Sequence, residues 1–142
     1  MPFCGTPAVT MTTAVESSVL LDVLAGTPEA AASAAKLMTR CADEGRVIVC
    51  ETVIAEITPE VGADRLMEFL GDWRIEFAAS TAASAVLAGR MHADYLQRGG
   101  RRGRVVPDFL IGAHALTLAD RLLTRDVGFT RDYFRGLTIL SH

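Results

Sequence analysis

Four carboxylates stand where an α/β chain could use them for chemistry. Glu16 follows the apolar stretch TTAV, and Glu56 lies among Val53, Ile54 and Ile57. Asp108 opens the apolar run DFLIGAHALTLA, and Asp126 follows RLLT. One acid in a first helical turn is ordinarily a cap or a partner for the helix dipole. Four brought together would repel one another and raise one another's pKa unless cations separate them. Magnesium or manganese resolves that conflict, because these ions take oxygen ligands and leave room for phosphate oxygens, as metal-assisted phosphodiester hydrolysis requires. Two hydroxyls, Ser18 and Thr124, stand close enough in sequence to orient a ligand, a water or a phosphate.

The run QRGGRRGR sets Arg98, Arg101, Arg102 and Arg104 among three glycines, just ahead of Pro107 and Asp108. Arginine contacts phosphate readily, and such contacts position a strand without reading its sequence. The alternative for this run is a solvated loop. The histidines suggest no general base: His92 and His114 fall inside helical patterns as structural residues, and His142 is expected to be frayed. Asp22, six residues after Glu16, is off the i, i+4 face and reads as a polar residue on the surface or as a contact to another part of the fold.

The elements that must position these residues are short apolar strands separated by helical stretches. Strand-like runs occur at 12–15, 46–50, 73–77, 121–124 and 137–140, several of them almost continuously apolar, as in a sheet covered on both faces. Between them, residues 28–42 carry an apolar stripe with Pro28 at the start and Gly45 as a stop. Residues 52–58 and 60–70 read as two helical pieces divided near Pro59. A longer helix ends at Gly99 and Gly100, and another spans 108–119. Strand and helix alternate throughout, which gives an α/β class built as a three-layer α/β/α sandwich around a parallel sheet. Ligands of such sheets bind beyond the carboxyl ends of the strands.

With those residues placed, the strings AVESSVLLDVL (14–24), VIAEI (53–57), PDFLIGAHAL (107–116) and LLTRDVGFTRDYF (122–134) resemble the four acidic motifs of PIN-domain ribonucleases, in the version found in VapC-type toxins of toxin-antitoxin pairs. The resemblance implies a central five-stranded parallel sheet of order 3-2-1-4-5, with Glu16, Glu56, Asp108 and Asp126 as catalytic and metal-holding acids. It also implies Mg2+ or Mn2+ dependence, endoribonuclease activity on RNA, a small antitoxin that occludes the site, and a homodimer. One position departs from the pattern: the family carries Asp within Asp-Thr-Asn or Asp-Ser-Ser where this chain has Glu16, Ser17, Ser18. The added methylene moves the carboxylate by about 1.5 Å, comparable to one step along a helix, and magnesium tolerates misplacement poorly. Weakened, manganese-dependent or absent activity are the expected alternatives. An antitoxin peptide would lay an apolar helix against residues 28–42 and 53–70, where Met67, Phe69 and Leu70 exceed what a small core needs.

Composition bounds these readings. The 142 residues, half of them hydrophobic, suit one domain with its own core, expected over 12–142 behind a loose extension at 1–11. Three cysteines, Cys4, Cys41 and Cys50, without CxxC spacing argue against a disulfide framework or zinc site and suit a reducing cytoplasm. No run approaches the roughly 20 apolar residues of a membrane span. The net charge of -3, with thirteen arginines and one lysine, disfavours gripping nucleic acid over the whole surface and leaves room for a local patch. The rival classes are another metal-dependent nuclease or phosphatase, and a catalytically inactive protein whose acidic pocket is a docking site. A receiver domain lacks its lysine after a late strand, and GxGxxG and GxxxxGK[ST] are absent.

Overall fold

A computed structural model describes residues 10–100 and 106–142. Arg101, Arg102 and Arg104, and most of the expected N-terminal extension, lie outside the described residues. The chain alternates β1 (Met11–Val15), α1 (Ser17–Ala25), α2 (Pro28–Glu44), β2 (Gly45–Val49), α3 (Glu51–Val61), α4 (Ala63–Asp72), β3 (Glu76–Phe77), α5 (Ala82–Gln97), α6 (Val106–Leu118), β4 (Arg121–Leu123), α7 (Val127–Tyr133) and β5 (Thr138–Leu140). The five strands form one parallel sheet in the order β3-β2-β1-β4-β5, as the resemblance implied.

The middle strands are apolar because both faces are covered. Val15, Ile48, Val49, Leu122 and Leu123 are buried together with Leu20, Met38, Ile57 and Phe109 from the helices. Burial of this kind contributes about 1.5–3 kcal/mol for each large apolar side chain. Gly45 opens β2 opposite Met11, and a side chain there would meet the Met11 backbone, with its Cβ 2.6 Å from the Met11 nitrogen. Glycine is therefore required by the close approach of β1 and β2.

Several boundaries differ from the sequence expectation for local reasons. β1 begins at Met11, inside the stretch expected to be loose. β3 is two residues instead of five, because α4 runs on to Asp72 and Arg74, at φ 55°, turns the chain before Ile75. Pro59 does not divide its helix. α3 continues to Val61 and stops at Gly62, whose φ of 86° favours glycine. α7, which no apolar periodicity announced, follows Asp126. Leu70, expected on a docking surface, is core, whereas Met67 is 58% exposed. Cys41 and Cys50 are buried and unpaired. Among the described residues, no helix is long and apolar enough to cross a membrane.

Strand order fixes where a site can form. β1 is followed by β2 on one side and neighbours β4 on the other, so the connectivity diverges between the carboxyl ends of β1 and β4. Glu16 follows the first of these strands, and Thr124 and Asp126 follow the second.

Candidate functional site

Glu16 leaves β1 with its backbone amide bonded to the Leu123 carbonyl of β4 (3.0 Å) and caps α1. Its Oε2 accepts from the Ser18 amide at 3.0 Å, from the Ser18 hydroxyl, and from Thr124 Oγ1 at 3.4 Å. Shorter residues dominate helix N-caps; here the extra methylene of glutamate lets the carboxylate fold back over Ser18 while still reaching across to β4. Burial pushes the Glu16 pKa up and the charge of Glu56 adds to that rise, while the bonds from Ser18 and Thr124 oppose it.

Glu56 is brought to the same end of α1 by a residue the sequence did not single out. Ser17 is buried, and its hydroxyl donates to Glu56 Oε1 at 2.6 Å. The only sequence signal for Ser17 was its position next to Glu16.

Asp108 lies in the first turn of α6, where the helix dipole favours an anion. Asp126 is held on the other side: its amide donates to Thr124 Oγ1 at 3.0 Å, and its carbonyl accepts from Thr130 Oγ1 at 2.9 Å. Glu16, Asp108, Asp126, Thr124 and Thr130 line one cavity with Gly112 at its wall. Its volume of about 10 Å³ is close to the space needed for a single water. Three of the four expected acids and one of the two expected hydroxyls thus share a cavity. Glu56 and Ser18 are not among its lining residues: Ser18 is bonded to Glu16, and Glu56 to the neighbouring Ser17.

Among the described residues, no three His, Cys, Asp or Glu side chains converge closely enough to hold a metal ion. The Glu16 carboxylate is turned toward Ser18 and Thr124, and Glu56 is engaged by Ser17. The donor set nonetheless fits a hard divalent cation. It consists of carboxylate and hydroxyl oxygens, without sulfur or imidazole, and magnesium commonly binds one or two carboxylates directly while keeping several waters.

Of the four arginines in the run QRGGRRGR, Arg98 is described. Its guanidinium pairs with Asp94 at 3.2 Å and lies 4.8 Å from the Tyr133 ring centroid, and Arg98 is not among the residues lining the acid cavity. His114 is buried against the Ala78 carbonyl (2.7 Å), and burial depresses its pKa more than the contacts with Ala78 and Glu51 raise it. His92 stacks with Tyr95 and tilts against Phe109. His142 is not frayed: its side chain is 6% exposed, with Nε2 2.8 Å from Asp22 Oδ2 and Nδ1 3.2 Å from Ser33 Oγ. Asp22, buried, also pairs with Arg125 at 3.1 Å.

No protein-family model matches the sequence, and no curated protein matches it at a significant level. Solved structures do match. A chain in the structure of VapBC2 from Rickettsia felis, bound to a DNA fragment from their promoter, superposes with a TM-score of 0.75 at 18% identity, covering 93% of this chain and 99% of that one. VapBC-1 from nontypeable Haemophilus influenzae gives 0.69 at 16% identity, over 92% and 98%. FitAcB from Neisseria gonorrhoeae gives 0.61 at 18% identity, over 90% and 96%. With the strand order, these matches define a PIN-like fold spanning nearly the whole chain.

Proposed function

We propose that this chain is a divalent-metal-dependent endoribonuclease and the toxin of a toxin-antitoxin pair. The observation that carries the reading is that Glu16, Asp108 and Asp126, from three separate stretches of sequence, line one cavity beyond the carboxyl ends of the neighbouring strands β1 and β4. Asp108, Asp126 and Glu16 would hold Mg2+ or Mn2+, with Glu56 adding charge from beyond Ser17. Bound there, the ion supplies the lowered pKa of an attacking water and the neutralisation of charge developing on phosphate. The chain's own residues do the rest. Thr124 fixes both Glu16 and the Asp126 amide, Ser18 holds the Glu16 carboxylate, and Thr130 anchors the Asp126 carbonyl. Arg98, Arg101, Arg102 and Arg104 are the proposed contacts to the RNA backbone.

The proposed partner is a small antitoxin. A groove of about 270 Å³ between α1 and α4 has Val23, Leu24 and Phe69 as its apolar lining, with Arg65, Glu68 and Asp72 also present. It suits the apolar face of a partner helix, with a basic side chain extending to the acids. A homodimer belongs to the same proposal. The engagement of the Glu16 carboxylate by Ser18 and Thr124 favours one second reading, an inactive protein whose acidic pocket is a docking site for a basic peptide.

The test is cleavage of a mixed set of structured RNAs by partner-free protein with Mg2+, Mn2+ or EDTA, beside Asp108→Asn and Glu16→Asp. The proposal expects metal-dependent cleavage that Asp108→Asn abolishes and Glu16→Asp increases. Folded protein that cleaves nothing, Glu16→Asp included, would move the weight to the docking reading.

A further inference from the structure

Asp22 is a carboxylate only 9% exposed, which the acid cavity does not use. A buried carboxylate is costly unless it is paired. Its partners come from distant parts of the chain: Arg125 from the β4–α7 connection and His142 from beyond β5, with His142 also reaching Ser33 of α2. Arg125 stands between Thr124 and Asp126, two residues lining the cavity. Asp22 lies on α1, the helix that Glu16 caps, six residues further along, or roughly 9 Å at the helical rise.

Consecutive residues of the β4–α7 connection therefore contact the same helix at two heights. Thr124 meets the Glu16 carboxylate at the top of α1, and Arg125 meets Asp22 further down. Two such points fix the direction in which the chain leaves β4, and the next residue is Asp126. We infer that Asp22 is a positioning residue for the acid cavity: by holding Arg125, with His142 braced behind it, it sets where Asp126 stands relative to Glu16. The inference rests on the metal-site reading above for its consequence, while the geometry it asserts stands apart from that reading.

Arg125 is half exposed, so the pair is not expected to dominate global stability. Its effect should be local. The experiment compares wild type, Asp22→Asn, Arg125→Met and the double variant by hydrogen exchange of the segment 121–130 and by Mn2+ titration well below the melting temperature. Arg125→Met, at a half-exposed position, keeps the test readable if Asp22→Asn folds poorly. Exchange in the segment should speed up several-fold in each single variant, with the Mn2+ Kd rising roughly three- to tenfold. The double variant should be no worse than Asp22→Asn alone, because that single change already removes the pair with Arg125 as well as disturbing the contact with His142. An unchanged segment and unchanged Kd, with only the melting temperature lowered, would overturn the inference and leave Asp22 a structural residue. If wild type takes up no Mn2+, the metal reading fails, and the exchange result alone decides the positioning role.

Discussion

Gly112 is the position where packing and the acid cavity meet, and replacing it with alanine gives a prediction with a definite sign. The residue lies one helical turn beyond Asp108 on α6 and forms part of the cavity wall. A Cβ there would stand 2.7 Å from both Cδ2 and Cζ of Phe134, and nearer still to Cε2. Phe134 is 2% exposed and packs against Phe109, so its ring has little room to retreat. Overpacking of this kind costs about 1–3 kcal/mol, and three ring carbons overlapping at once place it in the upper part of that range. Against this, alanine in a helix interior gains about 1 kcal/mol over glycine. The net is a loss of about 1–2 kcal/mol, or roughly 2–8 °C in Tm for a chain of this size. Gly89 on α5 is the internal control, since a Cβ there meets nothing within 4 Å; Gly89→Ala should stabilise by about 0.4–1 kcal/mol. Urea and thermal melts of the two variants beside wild type are the assay. Opposite signs support the account. A Gly112→Ala protein that is as stable as Gly89→Ala would refute the close packing of α6 against Phe134, and with it the described wall of the cavity.

Two further predictions concern pH. Glu16 has its pKa raised above the ordinary 4.5 of a glutamate, chiefly by burial, so the folded state holds that proton more tightly than the unfolded state and stability falls as pH rises above 4.5. Glu16→Gln should therefore be more stable than wild type at neutral pH, with the gain vanishing below pH 4.5 in denaturant melts; a destabilised Gln variant at pH 7 would contradict the burial argument. His114 has its pKa lowered from the ordinary 6.5 by burial, so the unfolded chain takes up a proton first as pH falls, and stability should decline below about 6.5. His114→Gln should flatten that part of the stability-pH curve, and an unchanged slope would assign the decline to other groups.

The sheet was legible where side chains are buried on both faces. The runs around Ile48 and Leu122 could be recognised because a covered strand needs no polar alternation. Strand order was not contained in those runs and came from the resemblance of the acidic strings. α7 escaped because seven residues with Arg131 and Asp132 among them show no apolar stripe. Pro59 misled because a proline removes one helical hydrogen bond without always ending the helix, whereas the positive φ at Gly62 does end it. At the site, Glu16, Asp108 and Asp126 could be picked out as acids beside strand ends or helix starts. Ser17, Thr130 and the Asp22 cluster could not, since their partners are set by tertiary contacts; Asp22 and His142 are 120 residues apart in sequence. The turning of the Glu16 carboxylate onto Ser18 is likewise a property of the folded chain.

The central claim is that Glu16, Asp108 and Asp126 together hold a divalent cation. Its most direct test is anomalous diffraction from crystals of the partner-free protein soaked in Mn2+. The account predicts one anomalous peak or a close pair in the cavity between β1 and β4, within coordination reach of Asp108 or Asp126 and absent from crystals of Asp108→Asn. A well-occupied manganese elsewhere, or an empty cavity at millimolar Mn2+ in an ordered crystal, would contradict it.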